Sequence, residues 1–248
     1  MNKQRLQKLL AQAGYGSRRS AEKMIIAQRI KINNKIAKLG DKVDLEDIIK
    51  LDNKKIDLNR FKEAATKVLI MNKQAGIICS RKDPKGRKSI YELLPKNSRW
   101  VMVGRLDINT SGLIIFTTNG ELANRLMHPS YEIKREYMVR VLGNIKKEHL
   151  QKLSQGVMLN NALTKFDKIK TIDNKGANKW FKVTISEGKY REIRRLWEIL
   201  GFKVNRLIRI SYSDIKLPKN LASNKFQYLR PHQVKNLMNS VDLKGKIV

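Results

Sequence analysis

Short apolar runs and alternating segments dominate residues 66–232, and they predict more strands than helices. Trp100–Val103 and Leu113–Phe116 are continuous apolar runs of the length typical of buried strands. Lys134–Leu142 and Trp180–Ser186 alternate between apolar and polar positions, as half-buried strands do. Helical periodicity is found in shorter segments, at Lys88–Leu94, Gly120–Met127, Ile145–Gln155 and Tyr190–Leu200. Strands interrupted by a few helices favour an α+β domain with a mixed, largely antiparallel sheet.

Residues 1–60 show a different pattern, which predicts a separate module of two helices and a hairpin. Ser17 or Ser20 is placed to cap the second helix, and an Asn33-Asn34 turn interrupts the alternating segment that follows it. The expected core faces of the helices are Leu6, Leu9, Leu10 and Ala13 in the first, and Ala21, Met24 and Ile25 in the second. Arg60–Lys67 is predicted to be a charged linker or the entrance to the second domain, and residues 233–248 a C-terminal tail.

The net charge changes the picture, because 53 Lys and Arg residues against 22 Asp and Glu residues leave +31. A field of this size attracts polyanions, and nucleic acid is the leading partner. A general bias of the genome toward lysine would also raise the charge. A membrane surface is a weaker alternative, since no segment pairs a basic face with a long apolar one.

Other features exclude several classes of protein. No apolar run reaches the roughly 18 residues of a membrane span, and the first residues lack the apolar core of a secretory signal. Cys79 is the single cysteine, and the three histidines are scattered, so neither a disulfide framework nor a metal centre is expected. We therefore expect a cytoplasmic protein, a monomer by default, without a metal.

One carboxylate stands in the loop between the two buried strands. Asp107 follows Arg105, and the loop is bounded by Gly104 and Gly112, which allow sharp turns and close approach of another molecule. From spacing alone, a charged side chain in a solvated hairpin loop is the favoured interpretation. The sequence lacks a phosphate-binding glycine loop, a dinucleotide fingerprint and a second carboxylate near Asp107. An aspartate can nevertheless act alone as a nucleophile or as an acid–base group.

Two later segments could accompany Asp107, and each has a structural alternative. Tyr137 lies on the apolar face of the alternating segment Lys134–Leu142, where a tyrosine is more often part of the core. Glu187–Arg195 begins a helix with four charged residues at helical spacing, which equally suit a solvated face: Arg191, Arg194, Arg195 and Glu198. No role is expected for His128, and Cys79 is expected to be a reduced structural thiol.

The N-terminal module resembles the S4 RNA-binding module. The similarity rests on Arg5-Leu6, Leu9-Leu10, Ala13-Gly14, Ser17-Arg18-Arg19 and Ala21-Glu22. This resemblance implies that Arg5, Arg18, Arg19 and Lys23 contact structured RNA. The alternative is a solvated basic face on a two-helix cap.

Gly104–Leu113 resembles the central motif of pseudouridine synthases of the RsuA/RluB type. Lys134–Tyr137 and Glu187–Arg194 follow in the order of that family's later motifs, and the S4 module precedes them as it usually does there. The later segments look most like the RluB branch, which modifies 23S ribosomal RNA, so the expected partner is this RNA or a ribosome assembly intermediate. Tyr190 departs from the Asn of that branch and is closer to the small-subunit branch, so 16S ribosomal RNA is the alternative substrate.

The resemblance also implies the roles of individual residues. Asp107 would attack or deprotonate the target nucleoside so that the uracil detaches, rotates and rejoins through C5. Tyr137 would stack against the flipped base, and Arg194 would pair with Asp107 and keep it ionised. Arg105, Arg191 and Arg195 would bind RNA. No cofactor is expected, because substrate and product are isomers. A non-catalytic ribosome- or RNA-associated binding protein is the rival function. A hydrolytic ribonuclease would need histidines or metal ligands that the motifs lack.

Overall fold

The computed structural model describes residues 3–44, 46–57, 65–81, 83–173 and 176–247. The chain divides into two compact units, one up to residue 66 and one from residue 67 to 247. Most of the predicted linker Arg60–Lys67 lies outside the described residues. Among the described residues, no helix is long and apolar enough to cross a membrane.

The N-terminal unit contains the two predicted helices, α1 (Leu6–Gln12) and α2 (Arg18–Ile26). Ser17 caps α2, since its hydroxyl accepts a 3.0 Å hydrogen bond from the backbone N–H of Ser20. The predicted Asn-Asn turn is confirmed, with φ angles of 47° at Asn33 and 69° at Asn34. The strands of this unit are β1 (Gln4–Arg5), β2 (Ile30–Ile32), β3 (Lys35–Ile36), β4 (Lys42–Val43), β5 (Ile49–Leu51) and β6 (Lys54–Lys55).

The core of this unit contains the apolar faces predicted from helical spacing. Four strands form a sheet in the order β3-β2-β5-β6, and β1 pairs with β4. The predicted core residues of α1 are all at most 7% exposed, and in α2 Ala21 and Ile25 are buried while Met24 packs at the edge. A shared apolar core therefore stabilises helices that are too short to be stable alone.

The C-terminal unit is built on a mixed, largely antiparallel sheet, which confirms the predicted fold class. Its main path is β13-β14-β10-β15-β9-β7-β17, with β8 paired to β9 and β16 to β15. The strands are β7 (Val68–Lys73), β8 (Val101–Val103), β9 (Ser111–Thr117), β10 (Arg135–Leu142), β13 (Lys168–Asp173), β14 (Asn178–Ile185), β15 (Lys203–Tyr212), β16 (Ile215–Lys216) and β17 (Phe226–Tyr228). A separate hairpin joins β11 (Val157–Leu159) and β12 (Ala162–Thr164).

The helices of this unit are α3 (Gly120–Met127), α4 (Lys147–Gln155), α5 (Glu192–Ile199) and α6 (Pro231–Asn239). The helix predicted at Lys88–Leu94 is a short 3₁₀ turn, Ile90–Leu93. The predicted tail differs from the structure, because residues 233–239 belong to α6. Val234, Leu237 and Met238 are at most 2% exposed and pack in the same core as α3.

One short parallel contact joins the two halves of the sheet. β9 and β15 pair in parallel at Ser111 with Ile208 and at Gly112 with Arg209. On one side of this junction β7 and β9 are buried on both faces, between two apolar clusters. On the other side, β10, β14 and β15 pack against α5 around Trp197, which is fully buried. The junction brings together strands that are about a hundred residues apart in sequence.

Candidate active site

A pocket of about 710 Å³ opens beside the junction of β9 and β15. Asp107, Tyr137 and Arg209 contribute to its wall from a loop and from two neighbouring strands. The loop is the β8–β9 connection, at residues 104–110, and β8 and β9 are the two buried strands that the sequence predicts around it. Three segments that are distant in sequence therefore meet at one cavity.

Lys73 holds the backbone of the Asp107 loop. Its side chain is 0% exposed, and its ammonium donates to the carbonyl oxygens of Asp107 at 3.1 Å, Ile108 at 3.3 Å and Thr110 at 2.8 Å. A further bond reaches the carbonyl of Gln74 at 3.1 Å. Burial lowers the pKa of Lys73, while Cys79 and Asp107 act against that shift. A lysine at the end of an apolar strand thus fixes the loop through backbone contacts.

One signal in the sequence points to Lys73, although this residue is not among the predicted site residues. It directly follows the strand residues Val68–Asn72 and is therefore carried into the interior with them. A buried ammonium is costly unless hydrogen bonds compensate it. A lysine at the end of a buried strand therefore indicates that carbonyl acceptors lie nearby, but the sequence does not identify the residues that supply them.

Gly112 is required by the close approach of β15. Its φ angle is +102°, and a Cβ at this position would collide with the backbone carbonyl of Arg209. Arg209 is 2% exposed, and its Nε donates a 2.7 Å hydrogen bond to the carbonyl oxygen of Leu113. The glycine predicted to shape the loop therefore lies in strand β9 and shapes the parallel junction behind it.

The carboxylate of Asp107 lies on the pocket wall and is partly exposed. Within the described part of the chain it has neither a salt bridge nor a side-chain hydrogen bond. Its own backbone, in contrast, is held: the carbonyl accepts bonds from Lys73 and from the N–H of Thr110, the latter at 3.0 Å. A fixed backbone with an uncommitted carboxylate is suited to react with a bound molecule.

Arg194 lies close to Asp107 but does not form the expected ion pair within the described residues. Its terminal nitrogens donate instead to the carbonyl oxygens of Val204 at 2.8 Å and Asn109 at 3.0 Å. Burial lowers the pKa of Arg194, and Asp107 counteracts that effect through its charge. Arg194 is 8% exposed, so the solvated helix face considered from spacing is not observed at this residue.

Tyr137 lies on the face of β10 that alternation predicted, and its side chain is 7% exposed. It is paired with Arg209 on one neighbouring strand and with Val183 on the other, next to a register irregularity at Glu136 and Tyr137. Its ring belongs to the apolar cluster around Trp197 and also lines the pocket. The interpretation of Tyr137 as a core residue is confirmed, and its ring also borders the pocket, while its role in the reaction stays a prediction.

Two further buried charges shape the pocket, and neither is among the predicted site residues. Arg135 donates to the carbonyl oxygens of Ser186 at 2.8 Å and Glu187 at 3.0 Å. Glu192 is 3% exposed, and its carboxylate accepts a 3.0 Å hydrogen bond from the N–H of Lys189. Burial raises the pKa of Glu192. Together, Arg135 and Glu192 fix the segment that connects β14 to α5.

The residues predicted to bind RNA are distributed over both units. Arg105 is exposed at the pocket, and Arg191 lines it while forming a 3.2 Å salt bridge with Glu198. Arg195 does not line the pocket and bonds to Asn160. The remaining four are exposed in the N-terminal unit: Arg5, Arg18, Arg19 and Lys23. Their contacts with RNA stay a prediction.

Comparisons with known proteins agree with this architecture. Residues 67–198 match the family described as RNA pseudouridylate synthase, and residues 4–49 match the S4 domain. Ribosomal large subunit pseudouridine synthase B of Escherichia coli K12 is 47% identical over 244 residues, 97% of this chain and 84% of that protein. The protein of the same name from Yersinia pestis is 49% identical over 222 residues, 88% of this chain and 70% of that one.

A solved structure extends the likeness to the fold. A crystal structure of a pseudouridylate synthase superposes with a TM-score of 0.66 at 26% identity, and the match covers 94% of this chain and 99% of that one. The resemblance in the Asp107 loop, Lys134–Tyr137 and Glu187–Arg194 is thus supported by the whole chain. On these grounds the chain belongs to the RNA pseudouridylate synthase family and carries an S4 domain at its N-terminal end.

Proposed function

We propose that this protein converts one uridine of large-subunit (23S) ribosomal RNA to pseudouridine, with Asp107 as the catalytic group. The large-subunit substrate is supported by relatives that are 47% and 49% identical and are named ribosomal large subunit pseudouridine synthase B. The observation that carries the catalytic assignment is the uncommitted carboxylate of Asp107 in the pocket that Tyr137 also lines. We further propose that the protein acts as a monomer in the cytoplasm.

The chemistry needs one group that can add to the nucleoside or remove a proton from it. The C1′–N1 glycosidic bond breaks, the uracil rotates, and a C1′–C5 bond forms while the proton on C5 is lost. Asp107 can attack the sugar, attack the base or act as the base, since a carboxylate is competent for each role. Atoms balance without a cofactor, because the proton gained at N1 replaces the one lost from C5.

In this proposal Tyr137 stacks on the uracil once the base has left its stack in the RNA. Removing a base from RNA structure costs a few kcal/mol, which stacking and phosphate contacts can offset. The side chain of Tyr137 is mostly buried and anchored in the sheet, so its ring is held in place before the base arrives. Arg194 and Lys73 serve as positioning residues, because each donates to backbone carbonyls of the Asp107 loop.

The net charge of +31 supports an RNA substrate and predicts that binding weakens steeply with salt. The S4 domain, which matches residues 4–49, supports a second contact with the same RNA. Exposed Arg18 and Arg19 are the first candidates for that contact.

Release of tritium from uracil C5 tests the proposal. Unmodified 23S and 16S ribosomal RNA, each labelled at C5, are incubated separately with the protein. We expect release from 23S RNA, followed by mapping of a single new pseudouridine. Release from 16S RNA alone would refute the substrate assignment. The 16S RNA is the alternative to examine because Tyr190 resembles the small-subunit branch. Tight binding without release from either RNA would identify a non-catalytic RNA-binding protein.

A further inference from the structure

Tyr190 lies on the wall of the pocket with most of its side chain in solvent. Its exposed fraction is 76%, against 7% for Tyr137 in the same cavity. Within the described residues its ring makes no aromatic contact and its hydroxyl no hydrogen bond. A single exposed tyrosine on an ordinary surface does not indicate a function. Tyr190 lies beside the proposed reaction pocket, so the residues around its ring decide whether it has one.

The backbone on both sides of Tyr190 is fixed. Before it, the carbonyl oxygens of Ser186 and Glu187 accept hydrogen bonds from buried Arg135. After it, the buried carboxylate of Glu192 accepts from the N–H of Lys189, and the N–H of Glu192 donates to the carbonyl of Lys189 at 3.2 Å. The ring is therefore carried by an anchored turn, which reduces the entropy lost when it binds a partner.

Cations flank the ring on either side in sequence. Lys189 forms a 2.6 Å salt bridge with Glu187, and Arg191 forms one of 3.2 Å with Glu198. All four side chains are substantially exposed, so these pairs are weak and can exchange for a phosphate at small cost. An aromatic ring between two exposed cations is the combination that binds single-stranded nucleic acid, where the ring stacks on a base and the cations meet the backbone.

We propose that Tyr190 stacks on an unpaired nucleobase adjacent to the target uridine, and so selects RNA whose target lies in an open loop. This inference rests on the proposed function. The target base enters the pocket and meets Tyr137, whereas a ring that is three-quarters exposed at the rim meets a base that stays outside. Tyr190 is thus a substrate-binding residue that acts on a neighbour of the reacting nucleotide.

The test is a double-mutant cycle in which RNA affinity is measured after removal of the Tyr190 ring, of a neighbouring base, or of both. A stem-loop of ribosomal RNA around the mapped target is prepared intact and with an abasic site at either neighbouring position. Tyr190→Ala and Tyr190→Leu should each raise the Kd for the intact RNA about tenfold, since stacking accounts for roughly that factor. Tyr190→Phe should bind like the wild type, because it keeps the aromatic face.

On the RNA that lacks the contacted base, Tyr190→Ala should cause no further loss, while on the other abasic RNA the full tenfold loss should persist. The slope of log Kd against log salt should be unchanged, because the ring carries no charge. Tyr228→Ala is the control, since Tyr228 is the other exposed tyrosine and lies outside the pocket lining.

Three results would overturn the inference. Tyr190→Ala could bind intact RNA as tightly as the wild type, Tyr190→Leu could retain full affinity, or the tenfold loss could persist on both abasic RNAs. Failure of the proposed function gives a different result, because the wild-type protein would then release no tritium. Affinity is measured independently of that release.

Discussion

The ammonium of Lys73 donates a 3.1 Å hydrogen bond to the backbone carbonyl of Asp107, so the proposed catalytic residue is fixed through its main chain while its carboxylate stays uncommitted. The same ammonium reaches Ile108 and Thr110 in the loop. One buried lysine therefore connects strand β7 to the loop that carries the proposed chemistry. The position of Asp107 depends on it more than on any contact of its own side chain.

Lys73→Met is expected to lower both stability and activity. The substitution keeps an unbranched side chain, one atom shorter, but leaves buried carbonyl oxygens without their charged donor, at a cost of about 2–3 kcal/mol. A small displacement of Asp107 should reduce kcat by about 10- to 100-fold. Urea unfolding and tritium release measure the two effects. Lys67→Met is the matched control, because Lys67 is exposed just before the same strand and should tolerate the change.

Gly112→Ala tests the parallel junction. Its Cβ would meet backbone atoms of Arg209 that cannot move without shifting β15, so we expect a loss of about 2–4 kcal/mol of stability. Gly76→Ala is the control that separates steric collision from backbone strain. Gly76 also has a positive φ of +92°, but a Cβ at this position would meet nothing within 4 Å. Urea midpoints decide between the two causes. Equal losses in both variants would contradict the close approach.

Glu192 should make stability depend on pH. Its folded-state pKa is raised by burial, so its contribution is fully present below the unfolded pKa and is lost as pH rises through the folded pKa. Glu192→Gln keeps an acceptor for the N–H of Lys189 and removes the ionisation. The variant should therefore gain stability relative to the wild type as pH increases from about 4 to about 8.

Glu198→Gln provides the control for that pH series. Glu198 lies on the same helix, but its side chain is 50% exposed and pairs with Arg191 at the surface. Urea unfolding across the series should show no comparable gain for this variant. A gain equal to that of Glu192→Gln would mean that net charge, and not burial, controls the effect.

The sequence predicts the elements of this fold well, because alternation and helical spacing are local. The face of β10 that carries Tyr137 and the boundaries of α3 follow from such patterns. The parallel pairing of Gly112 with Arg209 does not, since it joins segments about a hundred residues apart and leaves no local period. The resemblance predicts that Arg194 lies near Asp107. It does not predict that Arg194 donates to backbone carbonyls, because those contacts depend on the tertiary structure and not on sequence spacing. Helix α6 does have a local signal, since Pro231 begins it and Val234, Leu237 and Met238 follow at helical spacing, but the predicted domain ended at residue 232.

The most direct test of the central claim is Asp107→Asn, which preserves the size of the side chain and the backbone bonds from Lys73 and Thr110. The wild-type protein and the variant are compared for tritium release from C5-labelled 23S RNA and for RNA affinity at several salt concentrations. We predict that release is abolished while affinity and its salt dependence remain close to those of the wild type. Full release by Asp107→Asn would contradict the catalytic role, and an equal fall in affinity would show that Asp107 supports the structure or the binding of RNA instead.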